Sequence, residues 1–126
     1  MSEDNNNGIV KVTDEVIAVT AAMAAAKVNG VASLVGGITD NITKNILRMN
    51  ITKGVKVSRG DEDVLIIDIF VNVYYGYRIP EVAWEIQENV KKQVGELTGE
   101  VAKAVNIHVQ GVVIKESSAK DEGEES

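Results

Sequence analysis

The chain has 126 residues, with 13 Lys and Arg against 19 Asp and Glu, a net charge of −6 and no cysteine. That length suits one domain, and the missing cysteine excludes disulfides, thiolate catalysis and cysteine-ligated zinc. The acidic balance argues against general nucleic-acid binding and against unaided adsorption to anionic lipid, since both need a positive surface.

Residues 1–7, polar and acidic, read as a disordered tail, unlike the basic and apolar start of a signal peptide. A cytoplasmic location is expected. Gly8-Ile9-Val10-Lys11-Val12 reads as a short strand. Thr13 is placed to cap a helix whose first turn carries Asp14 and Glu15, where negative charge suits the helix dipole. This helix is expected to reach about Val28, its alanines at 21–26 allowing close packing on a sheet, and Asn29-Gly30 ends it. Val31 to Val35 is a second short strand, closed by Gly36-Gly37. Residues 38–49 then show helical spacing, with Ile38, Ile42, Ile46 and Met49 on one face and Lys44 and Arg48 on another.

Val55 and Val57 mark a strand, and Arg59 to Asp63 a hairpin turn. From Val64 to Tyr75 the alternation is strict: Leu65, Ile67, Ile69, Val71, Val73 and Tyr75 form an apolar row, while the other row holds Asp68 and Asn72. Even this apolar stretch is far short of the roughly 20 residues that span a bilayer. Pro80 suits the first turn of a helix, and Val82, Ile86, Val90, Val94 and Leu97 form its apolar stripe, ended at Thr98-Gly99. A last strand spans about Ala104 to Ile114, with Val105, Ile107 and Val109 on one face and Asn106, His108 and Gln110 on the other. Residues 115–126 read as a disordered acidic tail.

Two helices, each apolar on one side, need one face of a sheet to cover. The predicted fold is therefore an α+β two-layer sandwich: a mainly antiparallel sheet with two main helices on one face and ferredoxin-like ordering, plus a short extra helix near 38–49. A single domain over residues 8–114 is expected.

No catalytic, cofactor or metal motif is present. His108 is the single histidine and has no second ligand at motif spacing; neither Ser33 nor Ser58 lies in a nucleophile elbow. Two features stand out instead. Between Asp40 and Asp61 no acidic residue occurs, while Lys44, Arg48, Lys53, Lys56 and Arg59 do. This basic block is either the solvated side of a packed helix or a docking surface. Trp84 points away from the stripe of its helix, toward Gln87, Glu88 and Lys91, and is either covered by a loop or a binding anchor. Tyr77 is a weaker candidate at the same helix end. An RNA-binding sheet face would have Phe70 and Tyr74 to offer, yet Asp68 lies between them and the balance is acidic.

Glu15-Val16-Ile17-Ala18, Asn29-Gly30-Val31, Lys53 to Val57, Tyr75 to Ala83, Gln87 to Val90 and Val105 to Val112 together resemble the alkaline shock protein family of Gram-positive bacteria, an envelope stress response family, over nearly the whole domain. The resemblance implies a non-enzymatic cytoplasmic protein in cell-envelope homeostasis, held near the membrane by a membrane-anchored protein partner and self-associating, with indirect membrane contact and no cofactor. It also implies an alternative, a soluble regulator of a fatty-acid or other lipid-precursor biosynthetic enzyme. The family supplies no catalytic residue to carry over.

Overall fold

The computed structural model describes residues 8–37 and 51–115. Thr13 accepts a hydrogen bond from the Val16 N–H at 3.3 Å and so starts α1, Asp14–Ala26, with Asp14 and Glu15 in its first turn. Alanines 21, 22, 24, 25 and 26 are all buried, which lets the helix lie close on the sheet. There follow β1 (Val31–Leu34), a single helical turn α2 (Ile51–Gly54), β2 (Val55–Arg59), β3 (Leu65–Tyr74), α3 (Ile79–Thr98) and β4 (Ala102–Val113). The helix expected near 38–49 lies outside the described residues.

The central strand is β3. Its odd-numbered residues from Leu65 to Val73 are buried and its even-numbered ones half-buried, the alternation expected of a strand with one covered face. β4 runs parallel along the whole of one edge. The other edge is shared. β1 pairs antiparallel with residues 71–73, Val35 donates to the Phe70 carbonyl, and β2 resumes antiparallel pairing at Ile69 and continues to Leu65. β1 and β2 are thus two halves of one edge strand, which the chain leaves after Val35 and rejoins at Val55. From α1 onward, the helix, edge strand, central strand, helix, strand order of a ferredoxin-like plan is kept. Two of the three pairings are antiparallel, as expected of the mainly antiparallel sheet.

The expected strand at 8–12 is absent. Ile9 and Val10 are exposed at 81% and 92%. The physical reason is that both edges of β3 are occupied, and β4 lies where a first strand would insert. Three smaller expectations change too. Leu97 ends the predicted stripe but is 69% exposed, because the helix stops within a turn of it. Tyr75 continues the apolar row by count but lies beyond the end of β3 and is 75% exposed. Gln110 is exposed but falls out of register with the row of His108. A bulge between Val71 and Asn72 leaves it unpaired and brings Gly111 opposite Asn72.

α1 and α3 cover one face. Ile17, Leu34, Ile67, Ile69, Val71, Ile86, Val90 and Val94 form the centre of an aliphatic core. Two polar ties fix the layers: Asn89 donates to the Ala24 carbonyl at 2.8 Å and Gln87 to the Val105 carbonyl at 3.0 Å.

Candidate binding surfaces

The end of the sheet where β3 and β4 finish is built around Gly30. Tyr74 donates to its carbonyl at 2.8 Å, and a β-carbon on Gly30 would stand 2.8 Å from the Tyr77 ring and from Val82. With φ at +99°, the position suits glycine, and the Tyr77 ring lies over it. Tyr75 donates to the Val113 carbonyl at 2.8 Å, which holds the ends of β3 and β4 together. α3 begins at Ile79-Pro80, and Trp84 follows about a turn and a half later. Trp84 is 60% exposed and lines an open groove of ≈ 460 Å³ with Lys27, Val28, Asn29, Glu88 and Lys92. Tyr77 is 45% exposed. The single Trp and all three Tyr therefore gather at one end, with exposed Ile79, Val112 and Ile114 beside them. Arg78 and Glu81 pair at 3.3 Å within this surface.

The basic block is divided. Lys44 and Arg48 lie outside the described residues. Lys53 on α2 and Lys56 on β2 are exposed. Arg59 is committed elsewhere: its guanidinium reaches Asp14 at 3.0 Å, Glu100 at 3.4 Å and Asp63 at 3.9 Å. The Asp14 hydrogen bond raises its pKa, opposed by desolvation and helped in turn by the Glu100 hydrogen bond. Arg59 stands where β3 begins, and Trp84 and Tyr77 stand where it ends, so the structure does not bring these candidates together.

The uncovered face of the sheet carries a constellation that sequence spacing did not reveal. Parallel pairing sets Asp68 beside Asn106 and Phe70 beside His108. Asp68 Oδ1 accepts from His108 Nε2 at 2.9 Å and from Asn106 at 3.1 Å. The Phe70 and His108 rings stack with centroids 4.5 Å apart and planes 13° apart. The His108 hydrogen bond, helped by Asn106 and opposed by partial burial, holds the Asp68 carboxyl below its ordinary pKa. These residues satisfy one another, and the Phe70 face a base would stack on is already taken by His108. Among the described residues no group of three His, Cys, Asp or Glu could hold a metal ion. The signal that could have revealed the aromatic end was positional: all three Tyr fall within residues 74–77, at the close of the strongest strand in the chain.

Among the described residues no helix is long and apolar enough to cross a membrane. The sequence profile of the alkaline shock protein 23 family, described as having a cell envelope-related function, matches residues 2–114. The chain is 36% identical over 110 residues to the uncharacterized protein YqhY of Bacillus subtilis, covering 87% of this chain and 81% of that protein. It is also 36% identical over 107 residues to the uncharacterized protein YloU of the same organism, covering 83% and 88%. Among solved structures, a MamM-CTD variant aligns with a TM-score of 0.47 at 15% identity, over 79% of this chain and 98% of that one.

Proposed function

The chain belongs to the alkaline shock protein 23 family, whose function is cell envelope-related, and from that premise we propose that it is a non-enzymatic adaptor or scaffold of the cytoplasmic membrane face, acting by protein–protein binding. The observation that carries this reading is the aromatic end. A tryptophan 60% exposed above an open groove, with a tyrosine 45% exposed beside it, is the composition of a binding hot spot. The self-satisfied Asp68, Asn106 and His108 cluster supports binding over catalysis. Self-association belongs to the same reading, and the outer edge of β4 supports it: among the described residues β4 pairs with β3 alone.

The test is capture of the tagged full-length protein from membrane and cytosolic fractions. Wild type is compared with Trp84→Ala plus Tyr77→Ser, and with Lys53→Glu plus Lys56→Glu. A membrane protein recovered with wild type and lost with the aromatic variant is the expected result. A cytosolic biosynthetic enzyme recovered equally with all three would overturn the reading. Loss with the lysine variant alone would move the docking surface to the basic block.

A further inference from the structure

β4 has one neighbour. Among the described residues it pairs with β3 alone, along 12 residues, and its other edge is open. Which backbone groups face that opening follows from the hydrogen bonds. Phe70 offers its carbonyl to Val35 and Tyr74 donates its N–H to Gly30, so even-numbered residues of β3 face β1 and odd-numbered ones face β4. In the parallel ladder Asn106 and His108, opposite Asp68 and Phe70, then bond inward. Val105, Ile107 and Val109 turn their N–H and C=O groups outward. The Val105 carbonyl, which accepts from Gln87, lies on that side. Between the two bulges, from Ala104 to Val109, this edge is regular.

The regular stretch has neither proline nor charge, the residues that commonly blunt an exposed edge. Pro80 is the single proline and lies in α3, and no Asp, Glu, Lys or Arg occurs from Ala104 to Ile114. The opposite edge of the sheet is broken between β1 and β2 and carries Lys56 and Arg59. The order of residues selects the occupant. Val105-Asn106-Ile107-His108-Val109 reads as Val, polar, Ile, polar, Val in both directions. A second copy laid antiparallel about Ile107 sets Ile107 opposite its own counterpart, Val105 opposite Val109, and Asn106 opposite His108. Apolar meets apolar on the helix-covered face, where Ile107 and Val109 are only partly buried. Polar meets polar on the open face. There His108 uses Nε2 on Asp68 and keeps Nδ1, while Asn106 keeps its amide oxygen and a second N–H. An amide with both a donor and an acceptor can meet either state of that nitrogen. Two copies of an acidic chain meet along this stretch with no like charges opposed.

We propose that two copies of the chain join through the outer edge of β4, antiparallel about Ile107. Each outward-facing pair exchanges two backbone hydrogen bonds, and the two sheets become one. The proposal rests on the self-association in the adaptor reading and names its surface and register. It also has a functional consequence. Each aromatic end lies where β4 finishes, so antiparallel joining sets the two ends at opposite limits of the shared sheet, about 40 Å apart by the strand rise. One dimer thereby holds two partner molecules at once and bridges them.

The chain has no cysteine, so single introduced cysteines report the register. In the full-length protein, Ile107→Cys faces its own counterpart with Cα atoms about 5.5 Å apart, within disulfide reach. Lys103→Cys lies about 27 Å from its counterpart. The expected result is a dimer in sedimentation velocity, oxidised to a covalent dimer through Ile107→Cys and not through Lys103→Cys. Val109→Pro removes an outward N–H and leaves the inner ladder intact. With its circular dichroism unchanged, it is expected to raise the dissociation constant of the dimer about a hundredfold. Equal cross-linking at both positions, no cross-link through Ile107→Cys, or an unchanged constant in folded Val109→Pro would overturn this interface and leave self-association to another surface. A monomer at every micromolar concentration would overturn both. If Val109→Pro does not fold, the two cysteine variants decide alone. A cross-link through Ile107→Cys in a protein that captures no membrane partner would sink the adaptor reading and leave the interface standing.

Discussion

Arg59 holds Asp14 and Glu100 in one guanidinium, at 3.0 and 3.4 Å, and so ties the start of α1 and the turn into β4 to the end of β2. The side chain is 24% exposed, which places it between a surface pair and a buried one. Isolated surface pairs contribute about 0–1 kcal/mol, and three carboxylates around one cation act as a network. Arg59→Ala is expected to cost about 1–2 kcal/mol in urea unfolding. Arg59→Lys should recover only part of it, because an ammonium cannot reproduce the fork. Neither variant should change what the protein captures, since this arginine serves the fold.

Gly30 and Gly76 have almost the same φ, +99° and +101°, but different surroundings. A β-carbon at Gly30 would meet Tyr77 and Val82 at 2.8 Å, while at Gly76 nothing lies within 4 Å. Gly76→Ala should cost about 1–2 kcal/mol, from backbone strain alone. Gly30→Ala adds overpacking of typically 1–3 kcal/mol and displaces Tyr77. Thermal unfolding separates the two, and equal losses would show that Tyr77 yields freely.

Asp68 gives the fold an acid-sensitive limb. Its carboxyl is held below its ordinary pKa, first by the His108 hydrogen bond. The unfolded chain therefore takes up this proton at a higher pH than the folded one. The associated stability is present above the ordinary carboxylate pKa and is lost as pH falls through the depressed value. In urea midpoints at about pH 5 and about pH 3, Asp68→Asn should lose less between the two than wild type. Parallel losses would mean that other carboxylates dominate.

Gly111 stands opposite Asn72 after the bulge in β4, and a β-carbon there would lie 2.9 Å from Asn72 Oδ1. Asn72 in turn donates to Ser33 Oγ at 3.2 Å. Gly111→Ala is expected to push Asn72 aside and break its bond to β1, costing about 1–2 kcal/mol. In Asn72→Ala, where that obstacle and bond are already gone, adding Gly111→Ala should cost much less, which a double-mutant cycle measures.

Much of this fold was legible from periodicity. The alternation in β3 and the stripe from Val82 to Val94 each name their buried faces residue by residue, because burial on one side imposes one pattern per element. Thr13, Gly30 and Gly99 were legible as punctuation for the same local reason. What periodicity could not tell was which strands neighbour each other. Gly8 to Val12 has strand composition, but pairing needs a free edge on β3, and whether one remains depends on residues a hundred positions away. The Asp68–His108 contact was hidden likewise, since it follows from parallel register between distant segments. Trp84 was legible as pointing away from the apolar stripe, but that it is exposed and not covered by a loop came from the structure. Its company with Tyr75 and Ile114 required the sheet to end where it does.

The divided edge strand has a consequence for engineering. Val35 bonds opposite Phe70, and Val55 resumes opposite Ile69, so the chain leaves and rejoins the sheet at neighbouring positions. The register of β2 is therefore fixed by β3 and not by the number of residues between the two anchor points. Closing a longer loop across so small a gap costs only about 0.6 kcal/mol per doubling of its length. This makes the junction a splice point: a foreign peptide or a whole domain whose termini lie close together could be inserted there, displayed from the sheet edge while the core folds as before.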